Sequence, residues 1–139
     1  MPFATVNWIA VFVVAVINMI IGASWYAQGL FGKPWMKLVG LSKKDLNAAK
    51  KKGMGKSYFA MFMGALIMAF VLAQVIGFAA IQSIASGAFL GFFMWLGFIA
   101  TTGMATVIFA HKPIKLYLLD NGYWFVSLII MGAILAVWR

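Results

Sequence analysis

The chain has no cysteine, a single histidine (His111) and only two acids, Asp45 and Asp120, among its 139 residues. Each scarcity excludes a class of chemistry. Without thiols there is no disulfide framework, no thiolate nucleophile and no cysteine-ligated metal. Acid/base catalysis and metal ligation need several convergent titratable groups, and two carboxylates with one imidazole supply few. Ser24, Ser57 and Ser127 have no visible base partner, so nucleophilic catalysis gains no support. The expectation is a non-enzyme without a cofactor or bound metal.

Charge is scarce as well. Charged residues make up 9% of the chain and hydrophobic ones 65%, against about 25% charged in a soluble domain. With a mean hydropathy of +1.03, the chain reads as an all-α integral membrane protein. A span needs roughly 20 apolar residues, because a helix rises about 1.5 Å per residue through about 30 Å of hydrocarbon. Four stretches qualify, at about 7–28, 57–79, 87–110 and 114–137. The runs are too long for barrel strands and show no period-two alternation, so all four are expected to be helices of one domain.

The cations set the expected direction. Lys33, Lys37, Lys43, Lys44, Lys50, Lys51, Lys52 and Lys56 fall in or beside the loop 29–56, while Lys112 and Lys115 follow the third span. The other side has only Arg139. The positive-inside rule then puts both termini outside and the basic loop in the cytoplasm. Trp8 and Trp138 suit the outer boundary, and Trp25, Tyr26, Tyr58 and Tyr117 the inner one. The net charge of +9 thus reads as a topology signal with anionic lipid headgroups, not nucleic acid, as partner. Lys43, Lys44, Lys50, Lys51, Lys52 and Lys56 are the candidate contacts.

Within the basic loop, Ser42-Lys43-Lys44-Asp45 has capping-box spacing, with Leu41 and Leu46 at the staple positions. A short amphipathic helix is expected to start there. Gly53 supplies its stop, and Lys50 to Lys52 suit the negative end of its dipole.

The halves of the chain echo each other. Lys33-Pro34-Trp35-Met36-Lys37-Leu38 after span one resembles Lys112-Pro113-Ile114-Lys115-Leu116 after span three, and Met63-Gly64-Ala65 in span two resembles Met131-Gly132-Ala133 in span four. Either this is a duplication, giving two tandem helical hairpins, or it is chance similarity between apolar helices. More specific are Gly22-Ala23-Ser24-Trp25-Tyr26, Leu30-Phe31-Gly32-Lys33-Pro34-Trp35, Lys51-Lys52-Gly53-Met54-Gly55-Lys56, Trp95-Leu96-Gly97-Phe98 and Gly122-Tyr123. Over nearly its whole length the chain resembles the family catalogued as domain of unknown function 1761. That resemblance implies a small prokaryotic four-helix membrane protein, located in the plasma (inner) membrane, with no catalytic residues to carry over. Lys43 and Lys44 stand where acids are expected in relatives, and Asp120 where Asn is more usual.

Asp120 is the most informative residue. With a helix from Ile114 it lies roughly 9 Å inside the span, where a carboxylate is costly and must face water or a partner, or take a proton. In the other reading Asp120-Asn121-Gly122 breaks the chain and Asp120 caps a shorter last helix. Asn18, Thr102, Thr106, Asp120 and Asn121 form the candidate polar cluster, opening inward. Thr102 and Thr106 share a helix face, as do Asn18, Gly22 and Trp25, with Asn7 further out. Such groups also serve as ordinary interhelical hydrogen bonds. Ala65, Ala69, Ala73 and Gly77 form a small-residue ladder on span two, and Gly87 and Gly91 a GxxxG pair, for packing within the chain or between subunits.

Three functions compete on these grounds. One is a non-catalytic membrane component, an assembly partner or lipid-binding stabiliser. Another is a homo-oligomeric channel or small transporter for a cation, proton or small solute, lined by the polar cluster. The third, a lipid-modifying enzyme, is held back by the shortage of acid/base groups.

Overall fold

The computed structural model describes residues 2–139. Helix α1 (Trp8–Trp25) opens at Asn7, whose side chain accepts from the amides of Ile9 and Ala10 at 3.0 and 3.1 Å. Asn7 therefore satisfies the helix's own orphan donors and does not extend the polar face of Asn18. The helix ends at Trp25 and not at Gln28, because the chain turns tightly from Tyr26 to Gly32, whose amide reaches the Ala27 carbonyl at 2.9 Å. A Cβ on Gly32 would lie 2.8 Å from that carbonyl, so the turn needs glycine there.

Two short helices occupy the basic segment where one was expected. Helix α2 (Gly32–Val39) stops at Gly40 in the left-handed conformation and buries Met36. Helix α3 (Lys43–Lys52) begins with the full capping box: the Asp45 amide donates to Ser42 Oγ at 3.2 Å, and the Asp45 carboxylate accepts from the Ser42 amide at 2.9 Å. It buries no residue. The apolar contact of this segment belongs instead to α2, whose eight residues were not expected to be helical.

Helices α4 (Gly55–Phe78), α5 (Ile84–Ile108) and α6 (Ile114–Val137) are, with α1, long and apolar enough to cross a membrane. Ser83 caps α5 by accepting from the Ser86 amide at 3.1 Å, which starts the helix a turn before Gly87. Within α5 the residues Trp95–Ala100 form a π-helical turn. Helix α6 runs unbroken through Asp120-Asn121-Gly122, so Asp120 is a residue of the helix and not its cap.

Helix α6 is the axis of the bundle. Of its most apolar stretch 39% is buried, against 17% for α5, and it packs on each of the other three long helices. Contact with α5 is closest, because a Cβ on Gly87 would collide with the Gly132 carbonyl, and one on Gly91 with the Leu128 carbonyl. Small residues let these backbones touch. Helix α4 packs on α1, with Ala65 and Ala69 buried, Ala73 against the core and Gly77 facing Ala4. Helices α4 and α5 hardly meet.

The chain thus forms two hairpins, α1 with α4 and α5 with α6, but the sequence echo does not occupy equivalent places. Pro34 belongs to the separate helix α2, whereas Pro113 opens the long helix α6 itself. Met63 is exposed and Gly64 faces open space, while Met131 is fully buried and Gly132 meets Gly87.

Candidate functional site

Away from the basic loop the interior of the bundle is packed shut, and the cavity of about 490 Å³ at that end is bounded by Ile81 and by Ala85, Phe89 and Phe93 of α5. Ala10, Val11, Val14, Ala69, Leu72, Ile76, Met131 and Leu135 form one core there. The Gln74 side chain accepts from the Ala4 amide at 2.8 Å and donates to the Ala4 carbonyl at 3.1 Å, pinning the N-terminal segment across it. Arg139 donates to the carbonyls of Ile76 and Ile81 at the end of α4. Trp8 stacks on Phe70 with ring centres 5.4 Å apart.

Toward the basic end the packing becomes polar, and aromatic donors carry it. Tyr26 Oη donates to Asp120 Oδ1 at 2.7 Å, and Trp25 Nε1 to the Leu119 carbonyl at 3.0 Å. From α5, Trp95 Nε1 donates to the Asn121 carbonyl at 2.8 Å, and in return Tyr117 Oη donates to the Ala100 carbonyl at 2.5 Å. Half-buried indole and phenol groups take such partners because an unpaired donor in an apolar surround is costly. Glycines make room for them: a Cβ on Gly122 would lie 3.1 Å from the Trp25 ring, and one on Gly103 3.1 Å from Tyr117.

The π-helical turn belongs to this layer. Thr101 Oγ1 donates to the Gly97 carbonyl at 2.7 Å and Thr102 Oγ1 to the Phe98 carbonyl at 2.5 Å, so hydroxyls occupy carbonyls that the widened turn presents. π-Helical turns of this kind concentrate at functional sites. The adjacent Thr101-Thr102 pair is the one local sequence signal for it, through back-bonding of hydroxyls to the preceding turn.

The candidate polar cluster divides in two. Thr102, Thr106, Asp120 and Asn121 line one cavity of about 460 Å³, together with Met68, Ile99, Gly103, Leu116, Tyr117 and Trp124. Asn18 lies apart from it. It is buried, and its Oδ1 accepts from Tyr123 Oη at 3.0 Å on the α1 side of α6. Although Asp120 is six residues into α6, its partner Tyr26 caps the end of α1. The carboxylate is therefore beside the end of α1, with the first turns of α6 projecting past it.

Sequence reading missed the aromatic donors. Trp25, Tyr26 and Tyr117 suited boundary anchors, yet each turns its polar atom inward to another helix. Tyr26 also borders a second cavity of about 620 Å³ between α1 and α4, lined in part by Gly22, Tyr58, Phe62 and Tyr123. The lysines Lys43, Lys44, Lys50, Lys51, Lys52 and Lys56 are all exposed. Among the described residues no three His, Cys, Asp or Glu side chains converge as a metal site.

A family model described as protein of unknown function (DUF1761) matches residues 9–136, nearly the whole chain. No curated protein and no solved structure matches it significantly.

Proposed function

The chain belongs to this family of unknown function, and from that premise we propose that it is a non-catalytic, lipid-binding component of a prokaryotic plasma membrane. In this reading the basic loop and α3 face the cytoplasm, both termini face out, and the exposed lysines hold anionic headgroups. One observation carries it: the Asp120 cavity lies over α6 between Met68 of α4 and Ile99 to Thr106 of α5, two helices that hardly meet, and no residue of α1 lines it. A gap between two membrane-crossing helices is suited to an occupant from the bilayer. The closed half supports the same reading, since Val14, Ile76 and Met131 fill the interior at 1% exposure or less, leaving a conducted solute no path through a single copy.

Conduction by a homo-oligomer remains the alternative to be tested, because the path would then run between copies. The test is reconstitution in liposomes, with monovalent cation and proton flux compared for wild type and Asp120→Asn, beside native mass spectrometry of the purified chain. Lipid-binding predicts flux equal to empty liposomes and lipid that stays bound after detergent washing. Protein-dependent flux altered by the substitution would replace this reading with conduction.

A further inference from the structure

The Asp120 cavity does not end at its polar lining. Met68 and Ile99, which bound it, also bound a separate cavity of about 390 Å³ lined in part by Gly64, Ile67, Val71, Met94 and Phe98. The two form one furrow whose walls are α4 and α5 and whose floor is α6. Its apolar part follows α4 from Gly64 to Val75, roughly 16 Å of helix. Its other end holds the carboxylate of Asp120, the amide of Asn121 and the hydroxyls of Thr102 and Thr106.

This arrangement matches an amphiphile in shape and in charge. Tyr26 occupies Asp120 Oδ1, and no protein donor reaches Oδ2 among the described residues. A carboxylate lining a cavity repels an anionic headgroup and favours one bearing N–H donors and positive charge. Charge-assisted hydrogen bonds are the strong ones in such surroundings. The lysines at the same end, Lys112 and Lys115, are exposed and suit the phosphate that such a lipid carries beside its amine.

Resting on the lipid-binding reading, we infer that the furrow between α4 and α5 is a binding site for a membrane phospholipid with a primary ammonium headgroup. The ammonium donates to Asp120, and one acyl chain lies along Gly64, Ile67 and Val71. A quaternary ammonium has the charge but no N–H to donate, so headgroup discrimination should follow hydrogen bonding as well as charge.

Electron spin resonance in phosphatidylcholine vesicles tests this, using spin-labelled phosphatidylethanolamine, phosphatidylcholine and phosphatidylglycerol with wild type, Asp120→Asn and Gly64→Leu. Gly64 faces open space, so leucine there fills the furrow while favouring the helix, and the immobilised signal it removes is the furrow's share. The expected result is a furrow share about threefold larger for phosphatidylethanolamine than for phosphatidylcholine, equalised by Asp120→Asn. Equal shares for all headgroups in wild type would overturn the ammonium assignment and leave lipid binding standing. No signal sensitive to Gly64→Leu, with native mass spectrometry finding no retained lipid, would overturn both. Disulfide formation between two copies of Val71→Cys, with no such signal, would mean that a second copy covers the furrow, which also overturns the proposal.

Discussion

The two halves of the bundle are built by opposite rules. Away from the basic loop, packing relies on small residues and backbone contact: Gly87 and Gly91 against α6, Ala65 and Ala69 on α4, and a core in which Ala10, Val14, Ala69 and Met131 are fully buried. Toward the loop, large aromatics bridge the helices with hydrogen bonds, and cavities lie on both sides of the Tyr26–Asp120 pair. The interior away from the loop is thus closed, while open space lies at the loop end and along the α4–α5 furrow, which runs on to Val75. In lipid, where apolar side chains gain little by leaving the bilayer for one another, association rests on tight van der Waals contact and interhelical hydrogen bonds. The closed half uses mainly the first and the open half the second.

Substitutions should break the halves unequally. The largest effect is expected from Gly91→Leu, which drives a side chain into the Leu128 carbonyl and should cost about 3 kcal/mol or prevent hairpin closure. Thermal unfolding in detergent reads this directly. Met131→Ala, opening a cavity in the closed core, should cost about 2–5 kcal/mol, whereas Thr106→Val, lining an existing cavity, should stay within about 0.5 kcal/mol. Similar melting temperatures for these two would erase the distinction between the halves. Tyr26→Phe removes the phenol from Asp120 and should cost about 1 kcal/mol, with faster amide exchange at the start of α2 as the local sign.

The smallest effect concerns α3. Hydrogen bonding from the Ser42 backbone amide, and then from its hydroxyl, holds the Asp45 carboxyl below its ordinary range. A depressed carboxyl stabilises the helix above its unfolded pKa, and that contribution is lost as pH falls through the folded value. Acidification below about pH 4 should therefore fray α3, seen as faster exchange of the Asp45 and Leu46 amides, while the closed half is unchanged. Asp45→Asn should flatten this pH dependence.

The four long helices were legible because hydrocarbon thickness imposes a length and excludes interior charge, a constraint that acts residue by residue along the chain. The Ser42–Asp45 box and the stop at Gly53 were legible because capping is local. Helix α2 was not foreseen, because its eight residues are short of a usual helix and Met36 is buried only by docking against Gln28 and near α6. The grouping of Thr102, Thr106, Asp120 and Asn121 followed from helix spacing and shared depth, but Asn18 lies on the other face of α6, and no depth estimate distinguishes faces of a neighbouring helix.

Sequence by itself determined the number of long helices, their apolar character, the basic segment between the first two and the scarcity of titratable groups, all set by composition along the chain. Tertiary structure alone decided that α6 is the axis, that Trp25, Tyr26, Trp95 and Tyr117 turn inward, that the echoing segments have different surroundings, and that α4 and α5 stand apart. Those outcomes depend on which helix faces meet, and four mostly apolar helices present several nearly equivalent faces. Packing chooses among them through the places where a glycine lets backbones touch and where a buried N–H or O–H finds its acceptor.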